Sequence, residues 1–433
     1  MKIYFIGIGG IGVSALAQYY LQKGDEVFGS DAYGSEITEM IEKMGAKISV
    51  GTQKTENINS HYDLVIYSPS VQENNPELLE ARRQNIKCMS YPGALGELSK
   101  DHYTIAVSGT HGKSTVTSMI ALILIKAGLD PTVIVGTKLK EFNNSNFRMG
   151  QSQYLVIEAC EHEASFLNYW PRIAVITNIE EDHLDYYENL ANIQKAFNEF
   201  ASHVPRNGFI VKNKSADIKA DAKIIDFSIE TNNKEAREIK AILKMPGEHN
   251  VLNGLAALSV AKLLDVSEAT SLAALSDYYG SWRRFNIFEL PDFILIDDYA
   301  HHPTEIRATL KSAREKYPDK KILCVFQPHQ YQRTQFLWDN FIDVFKRSIT
   351  EKWVDKLILI DVYDVIGREG GDKEKYNSQI MSEMIGSGCE YVKKENEIEG
   401  YFLNSDIVIM MGAGSIYNLS QEIKSKHLST CVD

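Results

Sequence analysis

Positive charge is in deficit in this chain. Its 46 lysines and arginines face 58 acidic residues, and the net charge of −12 excludes a surface built to attract nucleic acid or an anionic membrane. Any phosphorylated ligand must then be held by local cations or a metal ion. Cysteine is sparse too. Cys88, Cys160, Cys324, Cys389 and Cys431 make an odd number with no C-x-x-C pair, which excludes a disulfide scaffold and points to a reducing cytosol. No segment stays apolar for the length needed to cross a bilayer. Lys2 and the apolar run ending in Ala15-Leu16-Ala17 imitate a secretory signal, but cleavage there would delete the first strand of the expected fold. Low-complexity tracts are also absent.

What is present is 433 residues of ordinary globular composition, enough for two to four domains with cores of their own. The stretch that organises them is Ser108-Gly109-Thr110-His111-Gly112-Lys113-Ser114-Thr115, between an apolar strand at 104–107 and a helical run at 114–127. A glycine turn that delivers a strand into a helix N-terminus gathers unpaired N–H groups, a dipole end and a lysine where phosphates can lie. Ser114, next to Lys113, is placed to offer its hydroxyl to Mg²⁺. The loop is a shortened variant, since only two residues separate Gly109 from Gly112.

Upstream, a buried strand at 2–8 runs through Gly7-Ile8-Gly9-Gly10-Ile11-Gly12 into a helix, and a second strand ends in Ser30-Asp31. This is a Rossmann-type half, in which Gly9, Gly10, Ile11 and Gly12 approach a diphosphate and Asp31 reaches a sugar hydroxyl. A dinucleotide cofactor is the commoner ligand of such a turn, and an NAD-dependent oxidoreductase stays open on this evidence. Another strand, 63–67, ends in Ser68-Pro69-Ser70, either plain turn chemistry or a ligand-facing edge.

Downstream, three further strand ends carry polar clusters. The strand at 154–157 ends in Glu158-Ala159-Cys160-Glu161, and Glu158 is where a magnesium ligand is expected. The strand at 173–177 ends in Asn178-Ile179-Glu180-Glu181-Asp182-His183, which together with the loop predicts metal-assisted phosphoryl chemistry. His249, Asn250 and Asn253 open an alanine-rich helix, and Arg283 and Arg284 follow in an aromatic setting that suits a phosphate-rich site. The strand at 293–296 ends in Asp297-Asp298-Tyr299-Ala300-His301-His302, and the strand at 321–326 ends in Gln327-Pro328-His329-Gln330-Tyr331-Gln332-Arg333. Gly412 and Gly414 form one more turn. The charged stretch at 230–240 reads as a solvated loop or strand edge, and the tail after Lys424 as frayed.

Taken together and in order, GIGGIG, GSD, SGTHGKST, EACE, TNIEEDHLD, GEHNVLN, WRRF, DDYAHHPTE and FQPHQYQRT resemble the Mur ligase family, in its alanine-adding branch, from about Lys2 to Ser420. The resemblance implies an α/β protein of three domains: an N-terminal Rossmann-like domain at 1–102, a central P-loop ATPase-like parallel sheet at 103–285, and a C-terminal Rossmann-like α/β domain at 286–433. It implies ATP and Mg²⁺ as cofactors, UDP-N-acetylmuramate and L-alanine as substrates, a cytoplasmic location, and a monomer or weak dimer. Lys113 and its loop, Gly109 to Thr115, would hold the β and γ phosphates. Ser114 and Glu158 would bind one Mg²⁺, with Glu158 and His183 on a second. Asn178, Asn250 and Asn253 would face the adenine with His249 beside them, and Asp298 the ribose. Arg283 or Arg284 would stabilise the transferring phosphoryl group, His329 and Arg333 would orient the amino acid, and His302 would contact substrate. The first glycine turn, with Asp31, Ser68 and Ser70, would bind the uridine diphosphate. The chain departs from the family pattern at Cys160, His162, Glu163 and Gln330, and Asn198 stands where sister ligases carry a carbamylated lysine.

Overall fold

The computed structural model describes residues 1–364 and 370–429; Cys431 lies outside the described residues. The chain is mixed α/β and builds three sheets, each seeded by short apolar runs that bury both faces beneath helices. The first contains β1 (Lys2–Ile6), β2 (Glu26–Asp31), β3 (Lys47–Val50), β4 (Leu64–Tyr67) and β5 (Lys87–Ser90). Their order is β3-β2-β1-β4-β5, all parallel, with Ile3 opposite Val27 on one side and Leu64 on the other. Strand order reverses at β1, so the loops after β1, β2 and β4 open into one crevice.

The second sheet contains β6 (Tyr103–Ser108), β7 (Thr132–Leu139), β8 (Ser145–Arg148), β9 (Tyr154–Glu158), β10 (Ile173–Ile176), β11 (Phe209–Asn213) and β12 (Lys223–Phe227). Their order is β12-β11-β10-β6-β9-β7-β8, parallel except for the β7–β8 pair. Ile105, Val107, Val156, Ile157 and Val175 are fully buried, each worth about 1.5–3 kcal/mol as an upper bound. That packing holds the ends of β6, β9 and β10 side by side, with Val107 opposite Glu158 and Ser108 opposite Ile176.

The third sheet contains β13 (Asn286–Glu289), β14 (Ile294–Asp298), β15 (Ile322–Phe326), β16 (Lys356–Leu359), β17 (Cys389–Tyr391) and β18 (Ile407–Met411). Their order is β13-β14-β18-β15-β16-β17, with only the β13 edge antiparallel. By packing, the chain forms two compact units. One joins Met1–Asp182, Asn189–Ile242 and Val251–Ser281 and holds the first two sheets; the other joins His183–Glu188, Leu243–Asn250 and the chain from Trp282 onward and holds the third.

Two expectations are corrected. The charged stretch at 230–240 is mostly helix, Asn233–Ile242, because Ala236 and Ile239, one turn apart, are buried while the charges around them face outward. As far as Ser429 the tail after Lys424 continues the helix Ile416–Ser429, anchored through Ile416 and Ile423 in the core of the third sheet, while 430–433 lie outside the described residues. No helix among the described residues is long and apolar enough to cross a membrane.

Candidate active site

The first crevice is a cleft of about 660 Å³ lined by Gly9, Gly10, Asp31, Tyr33, Ser68 and Ser70 among others. Glycine is required here. Gly7 has φ +78°, and a Cβ on Gly9 would lie 2.9 Å from Asp31 Oδ2, to which the Gly9 N–H donates at 2.8 Å. Gly10 ends the turn as the N-cap of the helix Ile11–Gln22 and supplies no side-chain cap, so the N–H groups of that first turn are left for an anion. Ile11 and Gly12 form the first turn itself. A Cβ on Gly12 would lie 2.8 Å from the Tyr91 ring, so Gly12 serves helix packing as well as the cleft.

The second cluster surrounds the loop after β6. Gly109 has φ +137° and a Cβ there would lie 1.9 Å from Thr177 Oγ1; Gly112 has φ +83° and a Cβ there would lie 2.5 Å from Asn253 Oδ1. Neither position can carry a side chain. The loop is braced from β10: Asn178 Oδ1 accepts from the His111 N–H at 2.8 Å, and Thr177 Oγ1 donates to the His111 carbonyl at 2.6 Å. Thr110 Oγ1 accepts from the Glu180 N–H at 2.9 Å. Gly112 caps the helix Lys113–Lys126 with no side-chain partner and no acid in its first turn, which keeps that end positive. Thr115 is buried in the second residue layer of this turn.

Lys113 Nζ donates to the carbonyls of Gly109 at 2.7 Å and Thr110 at 3.0 Å, and it pairs with Glu161 Oε2 at 2.9 Å. Burial works against the ammonium, but the Glu161 carboxylate beside it wins and raises the lysine above its ordinary pKa. Burial pushes the Glu161 carboxyl up, opposed by Lys113, and burial pushes the Cys160 thiol up to about 12. One residue along the helix, Ser114 Oγ donates to Glu158 Oε2 at 2.8 Å, and the Gly136 N–H donates to the same oxygen at 2.8 Å. A hydroxyl and a carboxylate that converge beside a phosphate-type loop are the hard oxygen donors that Mg²⁺ takes.

In the second unit, Arg283 is 3% exposed and its guanidinium lies against Asp297 Oδ1 at 3.3 Å and the Gly412 carbonyl at 2.6 Å. Burial nevertheless pushes Asp297 up to about 6, so desolvation outweighs the pairing. Arg284 points elsewhere, to Glu305 at 3.1 Å, and keeps 31% side-chain exposure. Asp298 is buried and accepts from the N–H groups of Phe285 and Ala300 and from Thr309 Oγ1. His302, also buried, caps the helix Pro303–Lys316 through Nδ1, which accepts from the Thr304 N–H. His329 stacks on Tyr363, and Arg333 Nη1 reaches His329 Nδ1 at 3.2 Å, with the His301 ring 6.1 Å away. His183 holds a left-handed backbone, φ 51° and ψ 40°, at the start of the helix Leu184–Tyr187, a conformation that costs energy in a residue with a side chain. His249 and Asn250 lie in the first turn of the helix Glu248–Leu263, and Asn250 Nδ2 donates to the Pro246 carbonyl at 2.7 Å.

The structure therefore brings together Gly9, Gly10, Asp31, Ser68 and Ser70 in one cleft, Lys113, Ser114, Glu158, Asn178 and Asn253 around one loop, and His301, His329 and Arg333 in one cluster. It sets Arg283, expected to share a phosphoryl role with Arg284, into a buried structural tie. Sequence reasoning gave no role to Glu161 or Gly136. The second glutamate of EACE was the only trace of Glu161, and nothing marked Gly136.

Comparison with known proteins agrees along the whole chain. Family models match in three consecutive segments: the Mur ligase family, catalytic domain, at residues 2–103; the Mur ligase middle domain at 107–261; and the Mur ligase, glutamate ligase domain, at 283–414. The chain is 40% identical to a UDP-N-acetylmuramate–L-alanine ligase of Clostridium kluyveri, covering 97% of each, and 39% identical to one of Clostridium tetani, covering 96% of each. Among solved structures, a UDP-N-acetylmuramate-alanine ligase of Thermotoga maritima superposes with TM-score 0.79 at 28% identity, over 99% of this chain and 100% of that one. A murein peptide ligase of Psychrobacter arcticus superposes with TM-score 0.69 at 25% identity, over 98% of each.

Proposed function

Because this chain belongs to the Mur ligase family, we propose that it joins L-alanine to the lactyl carboxylate of UDP-N-acetylmuramate at the expense of ATP, in peptidoglycan precursor synthesis. The observation that carries the proposal is the loop after β6, where Lys113 and an uncapped helix end stand beside the Ser114–Glu158 pair, itself hydrogen-bonded at 2.8 Å. In this reading residues 1–102 bind the UDP-sugar, 103–285 the ATP, and 286–433 the amino acid and the nucleotide ribose.

The chemistry needed is fixed by charge. A carboxylate that attacks the γ-phosphate brings anion against anion, and one pair of unit charges about 3.3 Å apart costs roughly 5 kcal/mol at an effective dielectric near 20. Lys113 and the first-turn N–H groups of its helix offset that charge on the phosphate side, and Arg284 takes the role of stabilising the transferring group, since Arg283 is tied to Asp297. Ser114 and Glu158, with His183 for a second ion, would hold Mg²⁺, which when bound neutralises charge on the β- and γ-phosphate oxygens. Asn178, Asn250, Asn253 and His249 serve the adenine and Asp298 the ribose. The acyl phosphate formed by the carboxylate is then attacked by the amine of L-alanine, oriented by His329 and Arg333, and phosphate leaves. His301, His302 and His329 are the candidates to accept the amine proton, each already held by a hydrogen bond through Nδ1.

The assay is phosphate release in the presence of UDP-N-acetylmuramate, ATP and Mg²⁺ with L-alanine, L-serine, glycine or a tripeptide as the amine. L-Alanine is expected to give the highest kcat/KM. A preference for the tripeptide would replace this reading by murein peptide ligase activity, and no release with any amine would overturn it.

A further inference from the structure

The lysine of the phosphate loop is fully engaged within the chain. Two of its three N–H bonds go to the carbonyls of Gly109 and Thr110, and the third faces a carboxylate, with Glu161 Oε1 at 3.0 Å and Oε2 at 2.9 Å. An ammonium has three protons, so while Glu161 holds the third no N–H remains for a phosphate oxygen. Glu161 is 3% exposed and comes from the strand end that supplies Glu158, so it is a built part of the site and not a passing surface contact. The chain just after it is strained: Glu163 and Ala164 are both left-handed, with φ 49° and 53°, two side-chain-bearing residues in succession. Strain of this kind is held in place by the surrounding packing, and moving Glu161 would relieve it.

We propose that Glu161 is a positioning residue that competes with the nucleotide for Lys113: it pairs with the lysine and gives it up to the triphosphate on binding, so that it sets ATP affinity as an internal competitor. The inference rests on the reading of this loop as the ATP site and adds to it. No proton need move and no bond forms or breaks; one ion pair is exchanged for another. Glu161 weakens ATP in two ways. It must be displaced from the lysine, and once displaced it leaves a negative charge near the incoming phosphates. Burial raises the pKa of Glu161 and Lys113 opposes that rise, so the carboxylate is costlier unpaired than paired.

The test is binding of a non-hydrolysable ATP analogue with Mg²⁺, by calorimetry, to the full chain and to Glu161→Gln, Lys113→Met and the double variant. Glutamine keeps the shape and one acceptor oxygen, removes the charge, and replaces the second oxygen by an NH2 that cannot accept from Lys113. Glu161→Gln is expected to tighten the analogue about tenfold while the KM for UDP-N-acetylmuramate stays unchanged, and the tightening should vanish in the Lys113→Met background. Unchanged or weaker binding by Glu161→Gln, or equal tightening with and without Lys113, would overturn the inference. A measurement on the unaltered chain is independent of any folding defect. Hydrogen exchange in residues 161–168 should speed up when the analogue binds, while residues 109–115 become protected; slower exchange at 161–168, or no change, counts against the handover. If the unaltered chain binds and turns over ATP yet these results fail, only the role of Glu161 falls. If it binds no ATP analogue, the ATP reading falls and this inference with it.

Discussion

Replacing Gly136 by alanine should separate folding from catalysis. Gly136 lies in β7 at an exposed position, and it does not have the left-handed backbone that would itself forbid a side chain. Its N–H donates to Glu158 Oε2, the same oxygen that accepts from Ser114. A Cβ at 136 would lie 2.7 Å from Oε2 and 2.9 Å from Oε1, so the carboxylate must give way, by 3.4 − 2.7 = 0.7 Å if it is to regain ordinary contact at 3.4 Å. The displaced group is the far end of a flexible side chain, so the fold absorbs the methyl. Alanine in a strand is favoured over glycine by about 0.5–1 kcal/mol, and thermal stability should be equal or slightly higher. Activity should not survive so well. A shift of about 1 Å in a group that positions reactants costs about 100-fold, near 2.7 kcal/mol of barrier. Phosphate release measured against Mg²⁺ concentration should show a lower kcat and a raised Mg²⁺ requirement, with UDP binding to the first cleft unaltered. A Gly136→Ala protein with wild-type kcat and Mg²⁺ dependence would refute the assignment of Glu158 and Ser114 as metal ligands.

Other perturbations read out the remaining parts. Glu158→Ala should reduce phosphate release by at least about 1000-fold and leave UDP-sugar binding intact; near-normal turnover at saturating Mg²⁺ would contradict the site. Arg283→Ala should cost about 3–5 kcal/mol of stability, because it leaves Asp297 buried and unpaired, whereas Arg284→Ala should stay folded and slow the reaction by about 100-fold or more. Denaturant titrations of both variants decide this, and equal destabilisation would sink the distinction. Asp297 has a folded pKa of about 6 against an ordinary 3.8, so its contribution is fully present below pH 3.8 and is lost as pH rises through 6. The difference of 6 − 3.8 = 2.2 corresponds to about 3 kcal/mol, and Asp297→Asn should remove that fall from the stability–pH curve; parallel curves would refute the shift.

Much of the site is legible in the sequence because it is built from local signals. Gly9 and Gly109 announce close backbone approach, and polar residues directly after apolar runs mark the sheet edge where Ser68, Glu158 and Asn178 stand. What escapes is whatever depends on a direction set by tertiary packing. Arg283 and Arg284 are neighbours in sequence with opposite fates, because Arg283 has φ 56° and turns its side chain inward to Asp297 and Gly412. Glu161 meets Lys113 across 48 residues, and only the pairing of β6 with β9 brings them together. The helix at 233–242 was hidden by its own charge, since only Ala236 and Ile239 face inward.

In the proposed reaction the lactyl carboxylate itself takes the γ-phosphoryl group from ATP held at Lys113. Oxygen-18 placed in that carboxylate of UDP-N-acetylmuramate, with L-alanine and unlabelled ATP, follows the transfer directly by mass spectrometry of the released phosphate. Each turnover is expected to move one labelled oxygen into inorganic phosphate. Unlabelled phosphate, with the expelled labelled oxygen found in AMP or in water, would rule that transfer out.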